Sequence, residues 1–193
     1  TLNNNTLTFN NSGMAGFSGI AVTQTHGTAA DTINSNLALN DAINIRNNAT
    51  GALNVTGAIT TNGNTLTLDG TGPGTNLSGI ISGGGGIIKN DSGTDTLSGA
   101  NTYSGGTSLN AGVLRANHAM ALGSAGVILA GGTLATTNSS AISNTLSLTG
   151  NAALSNITTA GALTQTGGSF TLNLANATQS GAVNISNNAT AQT

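Results

Sequence analysis

Five aspartates, two histidines and three basic residues are all that this 193-residue chain offers for acid–base or metal chemistry, because Glu and Cys are absent. A hydrolase or lyase needs two or three carboxylates converging on one face, to hold calcium or to act as acid and base. Asp31 and Asp41 stand alone, and Asp69-Gly70 is a turn dipeptide. Asp91 and Asp95 are close in sequence but fall in Asn90-Asp91-Ser92-Gly93-Thr94-Asp95, which reads as a turn. Asp69, Asp91 and Asp95 are read as turn formers and not as catalysts. His26 and His118 have no carboxylate or second histidine at ligand spacing, which assigns them to packing or the surface. No Gly-x-Ser-x-Gly elbow stands between a strand and a helix. The glycine run at residues 83–86 is followed by Ile87-Ile88, where a phosphate loop needs Lys-Ser or Lys-Thr. It does not continue into the Asp-bearing nonapeptide of calcium-loaded solenoids either. The expectation is no catalytic residue, no cofactor and no metal.

Charge is equally sparse, at 4% of residues with a formal net charge of −2. Nucleic-acid binding needs clustered Lys or Arg, and Arg46, Lys89 and Arg115 are far apart. A polybasic membrane anchor fails on the same ground. No apolar run reaches the ~20 residues of a membrane helix, so membrane insertion by this segment is not expected. Without cysteine there is no disulfide framework and no thiolate metal site. Asn-x-Ser/Thr triplets at Asn48, Asn76 and Asn188 are expected by chance in so Asn- and Thr-rich a chain.

The elements that position these residues are short strands. Thr65-Leu66-Thr67-Leu68, Thr145-Leu146-Ser147-Leu148, Thr171-Leu172-Asn173-Leu174 and Thr6-Leu7-Thr8-Phe9 all alternate polar with apolar. Period-two alternation turns Leu and Phe to one face and hydroxyls or amides to the other. Glycine, at 29 residues, and asparagine punctuate the gaps, and both tolerate the positive φ of a sharp corner. Proline occurs once, at Pro73, and aromatics make up only 2%, so small aliphatics must fill the core. Only Ala116 to Leu122 suggests a short helical turn. Residues 42–50 recur at 182–190, and residues 57–68 recur at 161–172. Such recurrence reads as an imperfectly copied coil of roughly 20 residues, the length class of a solenoid. The chain is therefore expected to be all-β, one parallel β-helix over residues 1–193 with roughly nine to ten coils. A disordered, low-complexity chain is the alternative, but it would lack the Leu-x-Leu pairs that recur from end to end. Thr-x-Thr ranks on every coil would suit ice binding, but these pairs are too sparse.

Residues 97–134 carry the sharpest signal. They include Gly99-Ala100-Asn101-Thr102-Tyr103-Ser104-Gly105-Gly106-Thr107, then Gly112-Val113-Leu114, Ala121-Leu122-Gly123-Ser124 and Gly131-Gly132-Thr133-Leu134. This stretch closely resembles the autotransporter-associated β-strand repeat, or passenger-associated transport repeat, of Gram-negative type V secretion proteins. Leu77 to Gly83 and Ile88-Lys89 resemble the segment that precedes it. The resemblance implies a right-handed β-helix in an exported passenger, at the cell surface or outside the cell. It makes Asn101, Thr102, Tyr103, Gly105, Gly106, Gly112, Leu114, Leu122, Gly123, Gly131, Gly132 and Leu134 architectural residues of the repeat. The expected role is a non-enzymatic adhesin stalk or a self-associating filament subunit. Its partners would be further copies, end to end or side by side, or a host or matrix surface. The chain is expected to be an excerpt of a longer protein, with Gly83 to Gly86 as a wide corner or small protruding loop. A carbohydrate-active β-helix, lyase or hydrolase, is the alternative.

Overall fold

The computed structural model describes residues 6–9, 20–25, 27–138, 140–166 and 168–186. His26 and Asn188 lie outside the described residues. The chain winds as a parallel β-solenoid of about eight turns, and every strand pair is parallel, as in Ile43–Asn47 against Leu66–Gly70. Each turn visits three sides. One side is a nine-stranded sheet running from Ile20–Gln24 to Val183–Ser186. The second is an eight-stranded sheet from Asp31–Ile33 to Leu172–Ala175. The third side is split, with four strands ending at Ile81–Ser82 and three beginning at Ala141–Ile142.

Successive strands of the nine-stranded sheet start their pairing at Ile20, Ile43, Leu66, Ile87, Thr107, Val127, Leu146, Leu163 and Val183, close to the roughly 20-residue coil read from the sequence. The turns so formed are close to the nine to ten expected. The recurrence of residues 42–50 at 182–190 is a true coil repeat, because Ile43–Asn47 and Val183–Ser186 share the nine-stranded sheet. The other recurrence is not. It equates Ile59–Thr60 on the third side with Leu163–Thr166 on the first, so similar sequence serves different walls.

Alternation builds the core. Leu66, Leu68, Leu146 and Leu148 are buried, while Thr67 and Ser147 are half-exposed. Stacked in register they form aliphatic ladders, such as Ile45, Leu68, then past position 89 to Leu109, Leu129 and Leu148. The pattern fails at Leu174, which is 56% exposed although it pairs with buried Leu154. Asn62, Asn156 and Asn176 have positive φ, as expected of corner asparagines. Further asparagines stack between coils, amide to amide: Asn76 donates to Asn54 at 2.9 Å and Asn110 to Asn90 at 2.6 Å.

Two local expectations are corrected. No helical turn forms at Ala116 to Leu122. Val113–Ala116 is a strand, and a bonded turn follows in which the Ala121 amide donates to the His118 carbonyl at 2.9 Å. The glycine run at residues 83–86 does not protrude. Its backbone is bonded to the coils on both sides: Gly85 donates to Thr61 Oγ1 at 2.9 Å and accepts from the Gly105 amide at 3.1 Å. A Cβ at Gly83, Gly85 or Gly86 would collide with the neighbouring coil, though not at Gly84, so the run is a tight corner.

Candidate functional site

The third side loses its strands where the sequence signal is sharpest. Between Ile81–Ser82 and Ala141–Ile142 the wall is completed by side chains and turns. Asn101, fully buried, replaces the missing ladder: its Oδ1 accepts the Ile81 amide at 2.8 Å and its Nδ2 donates to the Ala121 carbonyl at 2.6 Å. One amide thus bonds the coil before and the coil after. Thr102 is exposed and contributes its backbone amide to the Ile81 carbonyl at 2.8 Å.

Tyr103 fills the space behind this wall. It is the largest fully buried side chain among the described residues, and its hydroxyl meets Thr107 Oγ1 at 2.6 Å. Burial raises its phenol well above the ordinary tyrosine range, so it stays neutral. Gly123, at φ +69°, roofs the ring: a Cβ there would lie 2.4 Å from the Tyr103 carbonyl oxygen and 2.9 Å from the ring. Leu114, Leu122 and Leu134 are buried in the same core. Gly131 and Gly132 sit at the corner before Thr133–Ala135, whose first amide donates to the Gly112 carbonyl at 2.8 Å. Gly105 and Gly106 form the corner before Thr107–Leu109 and line an outer cleft of about 500 Å³ floored by Ile88, Ser108 and Ile128. No charged side chain lines that cleft.

Directly before Asn101 lies a feature that the sequence reading missed. Lys89 and Asp95 are not at the surface; both are fully buried, and Asp91 is 4% exposed. Lys89 occupies an aliphatic ladder position between Leu68 and Leu109, and Asp95 heads a ladder of Leu114, Leu134 and Leu154. The turn at residues 90–93 folds them together. Lys89 Nζ donates to Asp91 Oδ1 and to the Asp91 carbonyl at 3.1 Å, and lies 3.0 Å from Asp95 Oδ2. Asp91 Oδ1 also accepts the Gly93 amide at 2.9 Å, and Asp95 Oδ1 accepts the Thr75 amide. Asp95 Oδ2 forms an ion-pair contact without hydrogen-bond alignment. Desolvation pushes the Asp95 carboxyl up to about 6 despite the opposing pull of Lys89, with the Asp91 charge adding to the rise. Gly112 makes room for the ammonium, since a Cβ at its φ of +66° would stand 2.9 Å from Nζ and 2.5 Å from two carbonyl oxygens.

Assigning both aspartates to one turn was therefore incorrect: Asp95 belongs to the strand Thr94–Leu97. Lys89 does not stand alone. The missed signal was alternation, because Ile87-x-Lys89 and Asp95-x-Leu97 put a charge where the period-two rule demands a core residue. Arg46 is paired too, donating to Asp69 Oδ2 of the next coil at 2.9 Å. The Gly70 amide and then Arg46 hold the Asp69 carboxyl below the usual range. His118 is half-buried in its turn, where Nδ1 accepts the Met120 amide at 3.0 Å. Among the described residues no group of three His, Cys, Asp or Glu could hold a metal ion. Asp91 and Asp95, which the fold brings together, face the core, against a lysine.

No curated protein and no solved structure matches the chain. A family model does match, and it starts at Ile87 instead of Leu97 and stops at Ala116. Asn101 to Leu114 of the expected motif fall inside it, whereas Leu122, Gly123, Gly131, Gly132 and Leu134 fall outside. The segment holding the buried ion cluster, the Asn101 bridge and the Tyr103 plug, residues 87–116, matches the family model of the passenger-associated-transport-repeat, as the sequence resemblance led one to expect.

Proposed function

We propose that this chain is a structural stalk segment of an autotransporter passenger, exported across an outer membrane and displayed at the cell surface or released. The carrying observation is that the transport repeat at residues 87–116 is continuous with the solenoid on both sides. It adds no separate lobe: its strands Ile87–Lys89, Thr94–Leu97, Thr107–Leu109 and Val113–Ala116 simply extend the two long sheets. Each coil is templated by its neighbour, so stability accumulates coil by coil. A chain with 4% charged residues and no cysteine threads a pore without disulfides or strongly hydrated charge clusters to unmake. Winding of the emerged coils on the far side then opposes backsliding.

The role is non-enzymatic, as an adhesin stalk or a filament subunit whose hydroxyl and amide faces contact further copies or a host or matrix surface. Residues 1–193 act as one β-helical unit. The test is to place the chain between an export signal and an outer-membrane barrel and to measure surface exposure by protease shaving. Leu66→Asp/Leu68→Asp, which puts two carboxylates into the core ladders, should leave the chain undisplayed; undiminished display would overturn the reading.

A further inference from the structure

We propose that Lys89 and Asp95 condense into an intramolecular amide bond, with Asp91 as the proton carrier. The amine is held, with no solvent exposure, 3.0 Å from Asp95 Oδ2. Leu68 and Leu109 flank Lys89 along its ladder, and Leu114 follows Asp95 along the other. Three features make this arrangement more than a buried ion pair. Asp95 Oδ2 meets only the Lys89 ammonium, 3.0 Å away, so no backbone donor holds it in place as a leaving group. Its other oxygen, Oδ1, faces the Thr75 amide, a fixed donor where negative charge would develop on addition. Asp91 Oδ1 is bonded to Nζ itself, within reach of its protons.

The step balances without any further reactant. Asp95 enters as the neutral acid, a form that its elevated carboxyl, at about 6, keeps accessible near neutral pH. Asp91 Oδ1 takes one proton from the ammonium, and the freed lone pair forms the Nζ–Cγ bond to Asp95. Negative charge collects on Asp95 Oδ1 against the Thr75 N–H. Asp91 then protonates the Oδ2 hydroxyl, the Cγ–Oδ2 bond breaks, and water leaves. Asp91 removes a second proton from Nζ and ends as the neutral acid beside a neutral amide. Two driving terms favour the product: proximity replaces a bimolecular encounter, and a buried charge pair that is costly to desolvate disappears. The amide would tie Ile87–Lys89 to Thr94–Leu97 across the corner of the transport repeat.

Intact mass of the purified, folded and then denatured chain should fall short of the sequence mass by one water. Trypsin locates the loss, because the chain has only three basic residues and an acylated lysine is not cut. A linked chain releases residues 47–115 as one fragment, whereas an unlinked chain releases 47–89 and 90–115. Asp95→Asn should lose ammonia in place of water, and Asp91→Asn should retain full mass far longer than the parent. Full mass with cleavage after Lys89 in the parent chain overturns the proposal. So does a loss of water with Lys89 still cleavable, which marks a succinimide at an aspartate. The parent digest decides the matter even where a variant fails to fold.

Discussion

Replacing Asn101 by alanine tests whether a side chain stands in for the missing third wall. The asparagine is fully buried, as are Ile81 and Ala121, whose backbone groups it satisfies at 2.8 and 2.6 Å. Alanine leaves the Ile81 N–H and the Ala121 C=O without partners in a space that excludes water. Each orphaned group costs about 1–3 kcal/mol, so the expected loss is about 2–6 kcal/mol before any cavity is counted. For a chain of this length that is a fall of about 4–24 °C in Tm. Urea unfolding followed by circular dichroism reads the change, with Asn76→Ala as the control. Asn76 donates to Asn54 at 2.9 Å on an exposed strand face, and its loss should stay within about 0.5 kcal/mol. Asn101→Asp adds a directional check. It keeps the acceptor for Ile81 but turns the donor facing Ala121 into a carboxylate oxygen, so it should regain stability as pH falls and that oxygen is protonated. An Asn101→Ala chain within about 1 kcal/mol of the parent, or an Asn101→Asp chain indifferent to pH, would refute the bridging role.

Asp95, in the unlinked chain, has a folded-state carboxyl raised from 3.8 to about 6, so ionisation opposes folding. Unlinked protein should therefore gain stability as pH falls from 7.5 toward 4, by up to about 3 kcal/mol, and Asp95→Asn should flatten the profile in urea titrations. Lys89→Met alone leaves two buried carboxylates and should cost about 3–5 kcal/mol. Adding Asp91→Asn and Asp95→Leu should restore most of it; failure to recover would show that the cluster is needed for more than charge balance. Gly112→Ala forces a Cβ to 2.5 Å from the Asp91 and Gly93 carbonyl oxygens at positive φ, and should lower the urea midpoint more than any surface Gly→Ala change. Arg46→Ala breaks a half-exposed pair and should change stability by less than about 1 kcal/mol, in the same assay.

The solenoid was legible because one rule, apolar in and hydroxyl out with glycine or asparagine at corners, operates on nearly every coil. Leu66 and Leu68 obey it, and Asn62 and Asn156 take the corner conformation that their type permits. Asn101 and Tyr103 were picked out by motif, but their work was not, because a bridging amide and a buried phenol depend on neighbours one coil away. Lys89 and Asp95 were misread for a different reason. Their local sequence is rich in turn formers, and residue type was allowed to outvote strand phase. The repeat at residues 57–68 and 161–172 misled because similar strands serve any of three walls, so likeness of sequence does not identify the side occupied.

Stacks of near-identical coils carry a hazard, since one wall can slide past the next with little change in the contacts made. Gly112 bears on that hazard because it is the point where the next coil passes over the Lys89 ammonium with no side chain in the way. Sliding that coil by one residue would bring Ala111 or Val113, each with a Cβ, over the charge and would turn Leu114 toward solvent. The cluster and its glycine thus work as an index pin, setting the phase of winding for every coil that mounts above it.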